Sequence, residues 1–380
     1  MCWRGSCLSV LVACLAACGD QPVSDGRDET FGGLTRVGDV LGGADEGFSR
    51  AVKPRAFVFP RDHGAHPRFK SEWWYLTSTL KTSAGEDLGV QFTIFRQALR
   101  PTPAGEGLWQ SGQVYMAHIA VSDVAKATHL HDQRLARAHP AGAGVELEPQ
   151  FRVFVEDWQL SGTFGEAARF SVVAKSAEGF SIELDLIQKQ PILRQGEEGL
   201  SRKGPDQASY YYSYPALAVE GKIEIGKTMH EVVGKGWLDR EWSTSVLGEG
   251  LLGWDWFALH LEDERELTFF QLRRKDCRVD SFNHGTMLSA QGERVDYQAA
   301  ELKISPARTW RDGTGTEWPI DWSVDLGGER FEIVALFPDQ VMSTGITYWE
   351  GIVAVRQAGE RIGTGYLEMT GYSGEARCAG

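Results

Sequence analysis

Cysteine is nearly absent from the body of this 380-residue chain: past residue 18 only Cys277 and Cys378 remain. They can pair in an oxidising compartment, but two cysteines do not build a disulfide scaffold. No run beyond the first eighteen residues approaches the length of apolar sequence that a membrane-spanning helix needs. Positive charge is in deficit, with 39 Lys and Arg against 52 Asp and Glu and a formal charge of −13. That balance argues against nucleic acid and anionic lipid surfaces as partners. No G-x-S-x-G is present and no Gly-x-Gly-x-x-Gly dinucleotide fingerprint is expected, so serine hydrolysis and dinucleotide binding lack support. Nothing in the pattern calls for a cofactor. Asp62, His63 and His66 have metal-like spacing, but a Pro- and Gly-bounded loop with one carboxylate is a poor zinc site, and no metal is expected. What the chain does have is tryptophan, 13 in all, within 11% aromatic residues. Such a content suits wide apolar cavities or heavily aromatic sheets.

The N-terminus reads as an export signal. Arg4 supplies a positive n-region, Ser6 to Ala13 with Leu15 an apolar h-region, and Leu15-Ala16-Ala17-Cys18-Gly19 a small-residue cleavage site of the lipobox type. Cys18 is then the acylated residue. Leu11-Val12-Ala13-Cys14 competes, but Leu15 is a poorer successor to a lipidated cysteine than Gly19. Residues 1–17 are thus expected to be a lipoprotein signal peptide and 18–50 a flexible tether rich in Gly, Asp, Ser and Thr. The expected location is the bacterial cell envelope, lipid-anchored on the periplasmic face, with the outer membrane favoured.

From about Phe57 the dominant period is two. Trp73 to Leu80, Leu88 to Phe95, Gln113 to Val121, Phe151 to Leu160, Arg169 to Ala174 and Ser181 to Ile187 alternate aromatic or β-branched residues with polar ones. Ala84-Gly85-Glu86-Asp87 and Gly327-Gly328 read as hairpin turns. A short helix is expected around Thr128 to Ala138. Two hairpins share a pattern: one starts at Trp73-Trp74-Tyr75 and returns through Arg96, the other starts at Trp254-Asp255-Trp256-Phe257 and returns through Arg273. Aligning Trp74 with Trp256 places the arginines 22 and 17 residues downstream. The repeat suggests two related β-domains, 51–215 and 216–380, with the change-over between Gln190 and Lys227.

Four segments, Phe59-Pro60-Arg61-Asp62-His63-Gly64-Ala65-His66-Pro67, Glu72-Trp73-Trp74-Tyr75, Gly236-Trp237-Leu238-Asp239-Arg240-Glu241-Trp242-Ser243 and Gly253-Trp254-Asp255-Trp256-Phe257, resemble the AttH-like, lipocalin-related family that includes bacterial carotenoid 1,2-hydratases. The resemblance runs from about Phe57 to Tyr372. It implies an all-β fold, two lipocalin-like antiparallel barrels in tandem. It also implies a site where an Asp acid works beside His, Trp and Tyr, the His and Trp lying in a stretch similar to Asp239-Arg240-Glu241-Trp242. Arg240 stands where that histidine would be. A guanidinium does not titrate usefully, which puts carotenoid hydration itself in question, but it can bind a carboxylate or an oxyanion.

The residues themselves point to the same segments. On the strand Trp254 to Leu261, Asp255 shares a face with Phe257, Leu259 and Leu261, where burial would raise its pKa and suit it to general acid work. Asp239 and Glu72 are the other catalytic candidates, Glu72 reading more readily as an ion pair or cap at a strand start. Trp73, Trp74, Tyr75, His118, Tyr211, Arg240, Glu241, Trp242, Trp254 and Trp256 are the expected ligand-binding set. Glu350 and Glu368 carry carboxylates in late strands and stand next in line to Asp255. Three readings stay open: a lipid-anchored protein that binds a lipophilic, isoprenoid or lipid-like molecule; an acid/base enzyme of hydratase or isomerase type; and a structural partner of an envelope export complex such as an ABC-type exporter. A buried carboxylate on the pocket wall would favour the enzyme, and a wholly apolar cavity the carrier.

Overall fold

A computed structural model of the protein describes residues 45–101, 112–245, 247–248 and 250–372. The signal peptide, Cys18 and Cys378 lie outside these residues, and Cys277 is disulfide-bonded. Among the described residues the only helix is a single 3-10 turn at Arg61–His63; everything else regular is strand. The first sheet holds β1 (Ser71–Thr82), β2 (Asp87–Ala98), β3 (Gln113–Asp123), β4 (Thr128–Arg137), β5 (Ala143–Glu146), β6 (Phe151–Val155), β7 (Trp158–Thr163), β8 (Arg169–Lys175), β9 (Phe180–Gln188), β10 (Leu193–Arg194), β11 (Leu200–Arg202), β12 (Ala208–Ile225) and β13 (Thr228–Ser243). Its order is β4-β3-β2-β1-β13-β12-β9-β8-β7-β6-β5, with β10 and β11 on β12. All the pairings are antiparallel, and bridges from Ala138 and His139 to Ala143 bring the two ends together in a nearly closed barrel.

The second sheet is a half-barrel. It holds β14 (Leu251–Leu261), β15 (Glu266–Arg274), β16 (His284–Leu288), β17 (Arg294–Gln298), β18 (Leu302–Arg311), β19 (Glu317–Leu326), β20 (Glu329–Ala335), β21 (Val341–Ser343), β22 (Thr347–Gln357) and β23 (Glu360–Thr370). The order is β17-β16-β15-β14-β23-β22-β20-β19-β18, with β21 on β22.

Alternation decides what each strand buries. Trp74, Leu76 and Leu80 of β1 fill the first barrel. Phe257, Leu259 and Leu261 of β14 fill the second with Trp318, Trp322 and Trp349. The opposite faces are also apolar: Tyr75, Trp237, Trp256, Phe270, Ile352 and Tyr366 form a third cluster between the two sheets. There β1 and β2 lie against β23 and β22. Gly89 in β2 permits this approach, because a Cβ there would collide with the Tyr366 hydroxyl.

Several sequence expectations need correction. Thr128 to Ala138 is not helical but β4, an edge strand with an exposed alternating face, because pairing with β3 outweighs its mixed local pattern. Phe151 to Leu160 is two strands, broken by a turn at Glu156 with φ 57°. The chain leaves the first sheet at Ser243 and enters the second at Leu251, so the change of sheet falls after the 190–227 interval and a division at 215/216 would cut β12. The cause is β13, which pairs with β1 from Ser71↔Ser243 to Thr82↔Val232 and completes the first barrel. The hairpin repeat is real in layout but slips by one residue: Trp74 faces its barrel interior whereas Trp256 faces outward. By face, Trp73 matches Trp256, and Glu72 matches Asp255. A Gly-x-Gly-x-x-Gly spacing at Gly248, Gly250 and Gly253 leads into strand β14 rather than a helix, so it lacks the helix N-terminus that would hold a phosphate.

Candidate active site

Between the outer faces of the two sheets lies a cavity of about 300 Å³, at the small end of ligand-sized pockets. Trp73 and Tyr75 of β1, Phe95 of β2, Met116 of β3, Tyr211 of β12, Trp254 and Trp256 of β14, Phe270 of β15 and Tyr348 of β22 wall it. Into this aromatic box project Asp239 and Glu241 from β13, Glu368 from β23, and Lys203. The register explains the concentration. Antiparallel pairing sets Tyr75 opposite Asp239 and Trp73 opposite Glu241, so the two tryptophan-rich motifs of the first sheet become one surface.

Asp239 is buried and held on both oxygens. Trp237 Nε1 and Ser213 Oγ donate to Oδ1 at 2.6 and 2.5 Å, and the Tyr211 hydroxyl donates to Oδ2 at 2.6 Å. Tyr211 in turn accepts from Trp256 Nε1 at 3.2 Å. Burial pushes the Asp239 carboxyl up to about 7, helped by nearby Glu241 and opposed by its three donors. Glu368 accepts from Trp254 Nε1 at 2.8 Å. Burial, and then the neighbouring Asp239 and Glu241, push its carboxyl up to about 8, against the hydrogen bonds from Trp254 and Tyr75. Glu241 is instead ion-paired to Lys203, whose Nζ also donates to Ser209 Oγ at 2.8 Å. The cavity therefore presents one carboxyl that keeps its proton at neutral pH and one poised near neutrality.

The other sequence candidates sit elsewhere. Glu72 borders the cavity but is fully buried between the Arg96 and Arg240 guanidiniums. It also accepts from the His66 backbone N–H at 2.9 Å. Burial alone would raise its carboxyl, yet the two arginines hold it well below the usual range, which makes it a permanent anion and a poor acid. Arg240 faces into the first barrel, stacked 3.8 Å above Trp74 and donating to backbone carbonyls of His63, Gly64 and Trp73. Trp242 lies beside it, stacked on His66 at 3.8 Å. Trp74, Arg240 and Trp242 thus stand on the inward face and do not line the cavity. Arg240 does not pair with Asp255, since the two residues face the interiors of different barrels and each has its own partner, Glu72 for Arg240 and Arg273 for Asp255.

Asp255 is fully buried in the second barrel, accepting from Gln271 Nε2 at 2.8 Å and the Tyr372 hydroxyl at 2.9 Å, with Arg273 at 3.3 Å. Burial raises its carboxyl against the pull of Arg273. It does not border the cavity. His118 is buried behind the wall with Nδ1 2.7 Å from the Tyr348 hydroxyl and Nε2 unpartnered, its pKa lowered to about 3 by burial. His63 is engaged with Tyr212 at 2.6 Å and His66 with Glu72 at 3.2 Å, and no group of three or more metal-ligating side chains occurs among the described residues. Sequence reasoning gave Glu368 too low a rank and missed Lys203, Ser213 and Trp237. Trp237 could have been found, two residues before Asp239 and so on its face; Lys203 carried no local signal.

A family model described as AttH-like matches residues 50–372. A Nitrosomonas europaea protein provisionally named AttH has a crystal structure with 36% identity and TM-score 0.75, matching 86% of this chain and all of that one. Kievitone hydratase from Nectria haematococca is similar at 14% identity and TM-score 0.60 over 86% of this chain and 98% of its own. CghA, solved with Sch210972, is similar at 12% identity and TM-score 0.52, over 87% and 98%. The last two likenesses concern the fold alone. No curated protein matches the sequence.

Proposed function

The chain belongs to the AttH-like family, and on that premise we propose that its intersheet cavity binds a largely apolar small molecule and carries out acid/base chemistry of the hydratase or isomerase type. The observation that carries the reading is the pair of buried carboxyls on an aromatic wall, both raised by burial, Glu368 to about 8 and Asp239 to about 7. Carboxyls raised toward neutrality suit proton transfer at pH 7. Glu368 donates a proton to a carbon–carbon double bond or carbonyl. Trp73, Trp256 and Tyr348 offer their faces to the cation that forms, an attraction that desolvation strengthens. Asp239, acting through the Tyr211 hydroxyl, removes a proton from water in a hydration or from carbon in an isomerisation. The similarity to kievitone hydratase lends support at the level of the fold. A pure carrier would gain nothing from neutral carboxyls on its pocket wall, each expensive to bury.

Cys18 places this chemistry beside a membrane in the same proposal, as an acylated anchor on the periplasmic side of the envelope. Two acyl groups suffice for stable anchoring. The test works with the substrate still unidentified. Protein isolated from its native cells without detergent is incubated in D₂O, and the molecules that co-purify are weighed by mass spectrometry. Reversible protonation by Glu368 puts deuterium on carbon in the wild type, and Glu368→Gln retains the molecule without the label. A co-purifying molecule that gains no deuterium with the wild type overturns the enzyme reading and leaves a binding protein.

A further inference from the structure

Glu350 is a carboxyl the mechanism above does not use, although it lies one strand from the proposed acid. On β22 and β23 Glu350 and Glu368 are direct cross-strand partners, and both point to the intersheet side, away from the Trp349, Leu367 and Met369 that fill the second barrel. Like charges directly opposite on adjacent strands are unfavourable even at a surface. Here Glu350 is fully buried. Its Oε1 accepts from the Tyr75 hydroxyl at 2.6 Å and its Oε2 has no partner. Tyr75 also holds the Glu368 carboxyl down. The single phenol O–H therefore sits between two carboxyls that face each other across the strand pair. The groups that face Glu350 are Tyr75 from β1, Tyr348 from its own strand, and Tyr366 and Glu368 from β23. None of these four carries positive charge, so an ionised Glu350 would have nothing to offset it.

We propose that Glu350, Tyr75 and Glu368 form a hydrogen-bond relay, in which a protonated Glu350 turns the Tyr75 hydroxyl onto Glu368. When Glu368 gives its proton to the substrate, it becomes a carboxylate. The Glu350 carboxylic O–H then donates to the Tyr75 oxygen, and the Tyr75 O–H donates to the Glu368 carboxylate. No proton leaves Glu350 or Tyr75, so the negative charge stays on Glu368, where Trp254 Nε1 also donates to it. Glu368 is reloaded from the cavity once the proton removed by Asp239 has returned there. In this scheme Glu350 touches no substrate and acts through Tyr75 as a positioning residue. The scheme rests on Glu368 being the acid. Two interacting carboxyls that share a site titrate in two macroscopic steps belonging to the pair.

Infrared spectroscopy of the full chain titrated from pH 5 to 10 reads this directly, because a protonated carboxyl has a C=O stretch distinct from that of a carboxylate. Beside Asp239, itself raised to about 7, the wild type should hold two protonated carboxyls at pH 7 and lose these two in separate steps. Glu350→Gln keeps the shape and the acceptor for Tyr75, and should remove one of these two bands together with its step. Tyr75→Phe should shift the Glu368 band and raise its midpoint, since a hydrogen bond that lowers it is gone. Matching melting curves confirm that both variants fold. An unchanged number of protonated carboxyls in Glu350→Gln, or an unmoved Glu368 band in Tyr75→Phe, overturns the relay. These spectra fail or succeed independently of deuterium labelling: two coupled steps without any labelled molecule would leave the relay and refute the enzyme.

Discussion

Glu368→Gln tests the electrostatics of the cavity without any ligand. The unfolded chain ionises this carboxyl at about 4.5 and the folded chain at about 8. Below pH 4.5 both states hold the proton and the group has no effect on stability. Between the two values the folded protein keeps a proton that the unfolded chain has lost, so stability falls as pH rises, at about 1.36 kcal/mol per unit for one proton. Above pH 8 both states are ionised and the loss is complete. From pH 5 to pH 8 the wild type therefore loses on the order of 4 kcal/mol through this one group. Glutamine has the same shape and can accept from Trp254, but it does not ionise. At about 2 °C per kcal/mol for a chain of this size, the melting temperature of Glu368→Gln relative to wild type should climb by roughly 8 °C over that interval. Differential scanning calorimetry in matched buffers measures it. Parallel melting curves from pH 5 to 9 would show that Glu368 titrates as a hydrated carboxyl, and the acid assignment would fall with the argument for a dry cavity.

Glu72→Gln leaves Arg96 and Arg240 buried without their shared anion, and breaking such a buried ion pair costs about 3–5 kcal/mol; thermal melts should fall by roughly 6–10 °C, and a drop under 2 °C would show the cluster to be hydrated. Asp255→Asn should destabilise the second barrel in the same assay while leaving the co-purifying molecule bound, because Asp255 does not border the cavity; loss of that molecule from a folded variant would move the site into the half-barrel. Asp239→Asn should retain ligand and abolish deuterium exchange at the base step, and full exchange in this variant would remove Asp239 from the mechanism. Cys18→Ser should release the protein from membranes and abolish fatty-acid labelling, whereas Cys14→Ser should leave both intact; the reverse result would place the acylated residue at Cys14.

The all-β class was determined by the sequence alone, because a period of two over many segments leaves a chain no other way to bury one face. Local turn chemistry was equally legible: Gly85 and Gly327-Gly328 take the positive φ their hairpins require. The family motifs were legible too, and they mark the strands that build the cavity wall. Parity within each strand was correct, since Asp255 does share its face with Phe257, Leu259 and Leu261. What parity could not supply was which side of that face is a barrel interior and which is a gap between sheets. Both sides of β1 and β14 are apolar, so hydrophobicity gives no sign of direction. That choice is made by long-range pairing, β1 with β13 and β14 with β23, and by the packing of β2 on β22. It sends Asp255 and Arg240 into separate barrels and Asp239 into the cavity. Glu350 and Glu368 are 18 residues apart in the chain, and only the register of β22 on β23 sets them face to face. A carboxyl's pKa depends on what surrounds it within a few ångströms, and those neighbours come from separate strands scattered along the chain from Trp73 to Glu368, which is why the chemistry of the site belongs to the tertiary structure.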